Sequence, residues 1–233
     1  MRLKSFVVFL FLIVSLSAEC QVGIGIMGGP NFSTCAFYKR PDYRSREIQN
    51  LRELQFGGFF RYVSEKHAGM QIEFLYAKKG WQDISALEND TVGLKHIRNI
   101  NYLEVPVMTH FIIGSKKIRI ILEGGPYIAY ALNSQETFIN TFTDEEETEN
   151  YVWKDGVDNR WDYGLKGSGG FQFHMPFGDI EIKAFYIYGY ANNFKDKSEA
   201  VETSQNRSFG INFGYIYFFG KKDDNVKSTS TEQ

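Results

Sequence analysis

From Val22 onward the chain alternates with a period of two, and on one parity no charged residue occurs through eight successive stretches. Read at every second residue, these run from Val22 to Ile26, Leu54 to Tyr62, Ala68 to Tyr76, Leu103 to Phe111, Ile118 to Tyr130, Trp161 to Phe173, Ile180 to Tyr190 and Phe209 to Phe219. Successive side chains of a strand leave on opposite faces, so this period predicts strands with one apolar face. The 21 Phe, 14 Tyr and 22 Gly among 233 residues favour β structure for the same reason.

The interleaved parity is mixed. It holds Gln55, Arg61, Gln71, Glu73, Lys79, Glu104, His110, Arg119, Glu123, Lys166, Gln172, Glu181, Lys183 and Asn212, together with small residues such as Gly57, Gly125, Ser168 and Gly170. Period two alone leaves open which face is inside. Connection lengths decide: short turns are expected around Ser64 to His67, Gly114 to Lys117 and Met175 to Asp179. Long polar loops are expected over Thr34 to Glu53, Gln82 to Asn99, Asn133 to Arg160 and Ala191 to Asn206. Short turns on one rim and long loops on the other mark a transmembrane barrel. Strands of about 10 residues, rising about 3.3 Å each and tilted by about 45°, cover roughly the 25 Å apolar band of such a barrel.

The expected fold is therefore all-β, an eight-stranded antiparallel up-and-down transmembrane β-barrel over residues 21–220. Its apolar parity meets lipid, with Tyr62, Tyr76, Tyr102, Trp161, Tyr190 and Tyr217 near the interfaces. The mixed parity fills a narrow interior. There Arg61, Lys79, Arg119, Lys166 and Lys183 face Glu73, Glu104, Glu123, Glu181 and the rim residue Asp162, a balance of signs that favours internal ion pairs over an open channel. Pro30, Pro106 and Pro126 fall inside expected strands, where each removes a ladder donor.

Ahead of the strands, Arg2 and Lys4 precede an apolar run from Phe6 to Leu16 that is too short to span a bilayer, followed by small residues at Ala18 and Cys20. That order predicts a signal peptide over residues 1–20, cleaved before Gln21. Cys35 is then the only cysteine, which excludes an intramolecular disulfide and zinc spacing. The segment 221–233 lacks apolar periodicity and is expected to be a disordered periplasmic tail. With 26 basic against 28 acidic residues, the net charge of −2 argues against a nucleic-acid partner.

Several phrases resemble a known family: Gly28-Gly29-Pro30-Asn31-Phe32-Ser33, Glu73 to Gly80, Asn101 to Pro106, and Glu123-Gly124-Gly125-Pro126-Tyr127. In this order they are similar to the PorT-type outer-membrane β-barrel proteins of Bacteroidetes. The resemblance implies an outer-membrane location and, through the namesake, a link to envelope assembly or type IX secretion. It implies no catalytic motif, and Pro30 departs from its usual aliphatic residue.

No catalytic, metal or cofactor site emerges from the residues. The histidines His67, His96, His110 and His174 have no Ser or Asp partner at motif spacing, and Gly167-Ser168-Gly169-Gly170 lacks the following helix that a phosphate loop needs. The acidic run Asp144-Glu145-Glu146-Glu147 reads as a solvated loop without calcium-loop spacing. The expectation is a non-enzymatic barrel in outer-membrane lipid that acts structurally or through extracellular loops on an envelope or secretion protein. A barrel enzyme with a loop-rim site and a soluble periplasmic ligand-binding barrel are the alternatives.

Overall fold

Ten antiparallel strands form one sheet: β1 (Gln21–Lys39), β2 (Glu47–Gln49), β3 (Leu51–Val63), β4 (Ala68–Ala86), β5 (Gly93–Gly114), β6 (Ile118–Asn140), β7 (Glu146–Asn150), β8 (Trp161–Met175), β9 (Gly178–Asn192) and β10 (Val201–Phe219). The computed structural model describes residues 21–39, 47–63, 67–86, 93–115, 117–195 and 201–219. The expected signal peptide and tail lie outside them. The two short strands are side pieces, β2 pairing β4 and β7 pairing β6; the other eight each pair two neighbours in the order β1-β3-β4-β5-β6-β8-β9-β10, and β10 returns to β1. The sheet is thus an eight-stranded up-and-down barrel whose first and last strands meet, Val22 opposite Phe219.

The alternation has a physical counterpart in burial. Ile26 is 67% exposed on the outward face, whereas Glu104 and Lys79 are fully buried on the inward one. A barrel of eight strands is just wide enough for side chains, and its wall curves tightly. Inward glycines permit that curvature: a Cβ on Gly170 would lie 1.9 Å from the carbonyl oxygen of Ile182 on the adjacent strand, and one on Gly125 would lie 2.0 Å from that of Val107.

Two hairpins at the short-turn end are resolved in detail. β5 turns into β6 through Gly114, at φ 141, with Ser115 N donating to Ile118 O at 2.9 Å. β8 turns into β9 through Pro176 and Phe177, with Met175 opposite Gly178 at φ 145.

The long-loop end departs from expectation. Most of the stretches expected as loops are strand: β1 reaches Lys39, β4 reaches Ala86, β5 begins at Gly93, β6 reaches Asn140 and β10 begins at Val201. β5 and β6 have 22 and 23 residues, about twice what an apolar band requires. The reason is that apolar alternation marks only the part of a strand with one face in lipid; past that level polar and apolar residues mix on either face, and the ladder continues without a periodic signal.

Each proline gives up pairing on one side and keeps it on the other. Pro30 is opposite Leu54 on β3, while the β1–β10 register passes from Gly28↔Phe213 to Asn31↔Gly210. Pro106 is opposite Tyr127 on β6 and interrupts the register with β4; Pro126 is opposite Leu165 on β8 and interrupts it with β5.

Candidate functional site

The inward parity builds a continuous column of polar side chains along the barrel axis. Toward the short-turn end, Arg61 of β3 donates to both oxygens of Glu181 from β9, through Nη1 and, at 2.9 Å, through Nη2. Arg61 Nε also donates to Gln71 Oε1 at 2.8 Å, and Nη2 lies 3.2 Å from Glu123. Lys183 adds contacts to Glu123 at 2.9 Å and Glu181 at 3.3 Å. Glu123 is closed off by Ser168 Oγ, donating at 2.6 Å, and by His110 Nδ1 at 3.0 Å.

Gln71 carries the column upward, since its Nε2 donates to Glu73 at 2.6 Å. Lys166 bridges Glu73 at 2.8 Å and Glu104 at 3.4 Å, and Lys79 joins Glu104 at 2.5 Å to Asp162 at 3.6 Å. The Lys79 ammonium also lies 4.8 Å from the Tyr127 ring centre. Asp162 accepts from Tyr127 Oη at 3.1 Å and from Asn206 Nδ2 at 3.0 Å; Asn206 in turn receives Asn193 Nδ2 at 3.0 Å. Charges taken out of water are costly unless paired, and each of these has at least one partner of opposite sign.

Above the column sits an aromatic cap. The Arg98 guanidinium lies 3.8 Å from the Tyr151 ring centre and within 6 Å of those of Trp81, Trp153 and Phe194. Its carboxylate neighbours are Glu136 at 3.6 Å and Asp158 at 3.8 Å. Tyr151 and Trp153 belong to the chain between β7 and β8, which folds over the mouth and is pinned by Tyr151 Oη donating to Asp158 at 2.9 Å and by Lys154 N donating to it at 2.7 Å. Burial, and then the bond to Asp158, push the Tyr151 phenol above its usual range.

Of the residues expected in an interior charge network, Arg61, Glu73, Lys79, Glu104, Glu123, Lys166, Glu181 and Lys183 all lie in this column. Arg119 does not: its side chain is 25% exposed at the short-turn end, 3.9 Å from Asp179. It is near the first residue of β6, so its inward parity places it at the opening. Asp162, expected at the rim, is 1% exposed in the column, enclosed by Tyr127, Asn206 and Lys79, because β6 runs on past its level. His96, expected in a loop, is in β5 and faces Asp83 at 3.2 Å and Glu136 at 3.5 Å. A carboxylate thus stands beside each ring nitrogen. His174 lies 2.5 Å from Asp179, and His67 Nδ1 lies 3.0 Å from the Ile112 carbonyl.

Sequence reasoning missed the Arg98 cap. Its rings come from three separate parts of the chain, and only the unbroken inward parity of Arg98 and Ile100 could have hinted at it. Among the described residues, no three His, Cys, Asp or Glu side chains converge to hold a metal ion.

Over residues 17–195 the sequence matches the outer membrane protein beta-barrel domain family. The chain belongs to that family. No curated protein matches this outer-membrane barrel. Solved structures similar to it include Ail, the attachment invasion locus protein of Yersinia pestis, at 16% identity and TM-score 0.38, covering 85% of this chain and 99% of that one. OprG from Pseudomonas aeruginosa is similar at 13% identity and TM-score 0.43, covering 84% and 95%. Outer membrane protein W of Escherichia coli is similar at 15% identity and TM-score 0.39, covering 83% and 97%.

Proposed function

We propose that this outer-membrane barrel is a closed scaffold, not an enzyme or a porin, and that it engages an envelope or secretion protein through its long-loop rim. The observation that carries the reading is the filled interior: from Arg61 to Arg98 paired charges and aromatic rings occupy the axis, leaving the chemistry of the molecule on its outside. In this reading the long-loop end is extracellular and the short turns are periplasmic, as in bacterial barrels generally. The walls β4–β5 and β6–β7 then project beyond the membrane as polar hairpins, with β7 fully exposed. The signal peptide over residues 1–20 supplies export, and the interior charges serve as structural ion pairs.

The phrases similar to PorT-type barrels support a process, namely envelope assembly or type IX secretion. Crosslinking in native membranes followed by affinity purification through a tag after Asp144 tests the partner. A discrete protein crosslinked to the rim is expected, and its absence with a robustly surface-exposed tag would count against the scaffold reading. Planar-bilayer recording tests closure: no steady conductance is expected, and stable ion-selective channels would move the function to transport.

A further inference from the structure

On the outward face, the first residues past the apolar band are not uniform around the barrel. On β10 the outward parity passes from Phe209 to Arg207, on β1 from Phe32 to Thr34, on β3 from Leu54 to Arg52, and on β4 from Tyr76 to Lys78. The register makes these neighbours: Thr34 is opposite Arg207, and Phe32 is opposite both Phe209 and Arg52. Continuing the β3–β4 register from Gln55↔Ala77 puts Lys78 beside Leu54, one outward position from Arg52. Adjacent strands are about 4.8 Å apart and residues rise about 3.3 Å, so Arg207 and Arg52, two strands and two residues apart, stand about 12 Å from one another across β1. On the next two strands this level is neutral: Lys78 is opposite Asn101, whose side-chain amide donates to Asn133 on β6.

Among the described residues, no carboxylate pairs with Arg52, Lys78 or Arg207. Arg207 is nevertheless held in place, its guanidinium 3.5 Å from the Tyr188 ring centre, donating to Gly189 O at 2.7 Å, Asn206 O at 3.0 Å and Gln205 Oε1 at 3.0 Å. Arg52 reaches over Phe32, at 6.0 Å from its ring centre, and Phe32 stacks on Phe209 at 5.3 Å. The result is an aromatic pair framed by two guanidiniums and extended by an ammonium, on one wall only.

We propose that Arg52, Lys78 and Arg207, with the Phe32/Phe209 stack below them, bind the phosphate-bearing headgroup of an outer-leaflet lipid. The occupant must be amphiphilic, because Phe32, Phe209 and Leu54 offer apolar surface next to the cations, which suits acyl chains beside an anionic head. Guanidinium groups match phosphate oxygens in a two-point geometry that a headgroup without phosphate cannot satisfy. The proposal rests on the outward parity facing lipid and on the long-loop end lying at the outer leaflet.

The test uses the full barrel refolded in zwitterionic detergent and native mass spectrometry with three probes: diphosphorylated lipid A, the same lipid dephosphorylated, and inorganic phosphate. The unmodified barrel should retain the diphosphorylated lipid at least tenfold better than the dephosphorylated one, and millimolar inorganic phosphate should not displace it. Arg52→Gln/Lys78→Gln/Arg207→Gln should lower retention about 100-fold, whereas Lys117→Gln/Lys154→Gln should leave it unchanged. If the triple variant does not fold, Arg52→Gln/Lys78→Gln, which spares the carbonyl contacts of Arg207, should still lose at least tenfold. Equal retention by the arc variants, no preference for the phosphorylated lipid, or displacement by inorganic phosphate would each overturn the proposal. A shift in gel mobility on boiling verifies the folded barrel in every sample, so failure of lipid binding is distinguishable from failure of the barrel reading.

Discussion

Arg61 on β3 and Glu181 on β9 meet as a two-point ion pair across two intervening strands, β1 and β10. With Lys183 and Glu123 they form a buried square of two cations and two anions. Either Arg61→Gln or Glu181→Gln leaves that square unbalanced and should cost about 3–5 kcal/mol. Removing both restores the balance, so the double variant should lose much less than the sum. Urea unfolding in liposomes, followed by gel mobility, measures all three; additive losses would show that the two side chains act independently.

On the outside, Phe74 and Val107 are exposed in the middle of their strands, 47% and 37% by area. Arginine at either site would stand in hydrocarbon, and Phe74→Arg or Val107→Arg should lower folding stability by about 2–4 kcal/mol. The same substitution at Lys95, on the polar extension of β5, should be close to neutral. Negligible loss at Phe74 and Val107 would mean that the outward face does not meet lipid.

The reach of the sequence is visible in single strands. On β6 the outward parity from Ile118 to Tyr130 was legible because lipid on one face forces strict alternation, and the exposure of Ile120, Leu122 and Ile128 agrees with it. Past Asn133 the same strand runs on to Asn140 without an apolar face in lipid, and nothing periodic marked it. Inside, the parity of Lys79, Glu104 and Lys166 could be read from spacing, but which carboxylate each ammonium meets depends on the stagger of eight strands. Arg98 lies in β5 and Tyr151 in the connection between β7 and β8, so their contact is a consequence of closure alone.

Wall curvature depends on glycine at particular inward positions. Gly170→Val would set a Cβ 1.9 Å from the Ile182 carbonyl oxygen, a main-chain atom that cannot rotate away. The cost should exceed the about 1–3 kcal/mol usual for overpacking, and the variant should fail to give a heat-modifiable band. Gly124→Ala is the control: a Cβ there meets nothing within 4 Å, and folding should be unaffected. A folded Gly170→Val barrel would show that β8 and β9 can separate at this level.

The mouth segment should respond to alkaline pH through Tyr151. Its phenol donates to the Asp158 carboxylate, and burial with that bond raises its pKa above the unfolded value of about 10. A group whose folded pKa is raised contributes its stability below the unfolded pKa and loses it as pH climbs through the folded one. Ionisation would place a phenolate against Asp158 and withdraw the donor that pins residues 151–158. Trp153, which packs edge-on to Tyr151 with ring centres 5.9 Å apart, reports the change directly. As pH rises above about 10 its fluorescence should shift to the red while the barrel keeps its heat-modifiable mobility. In Tyr151→Phe, which has no proton to lose, the pH step should vanish. A step that persists in Tyr151→Phe but disappears in Trp153→Phe would assign the transition to another group near the cap.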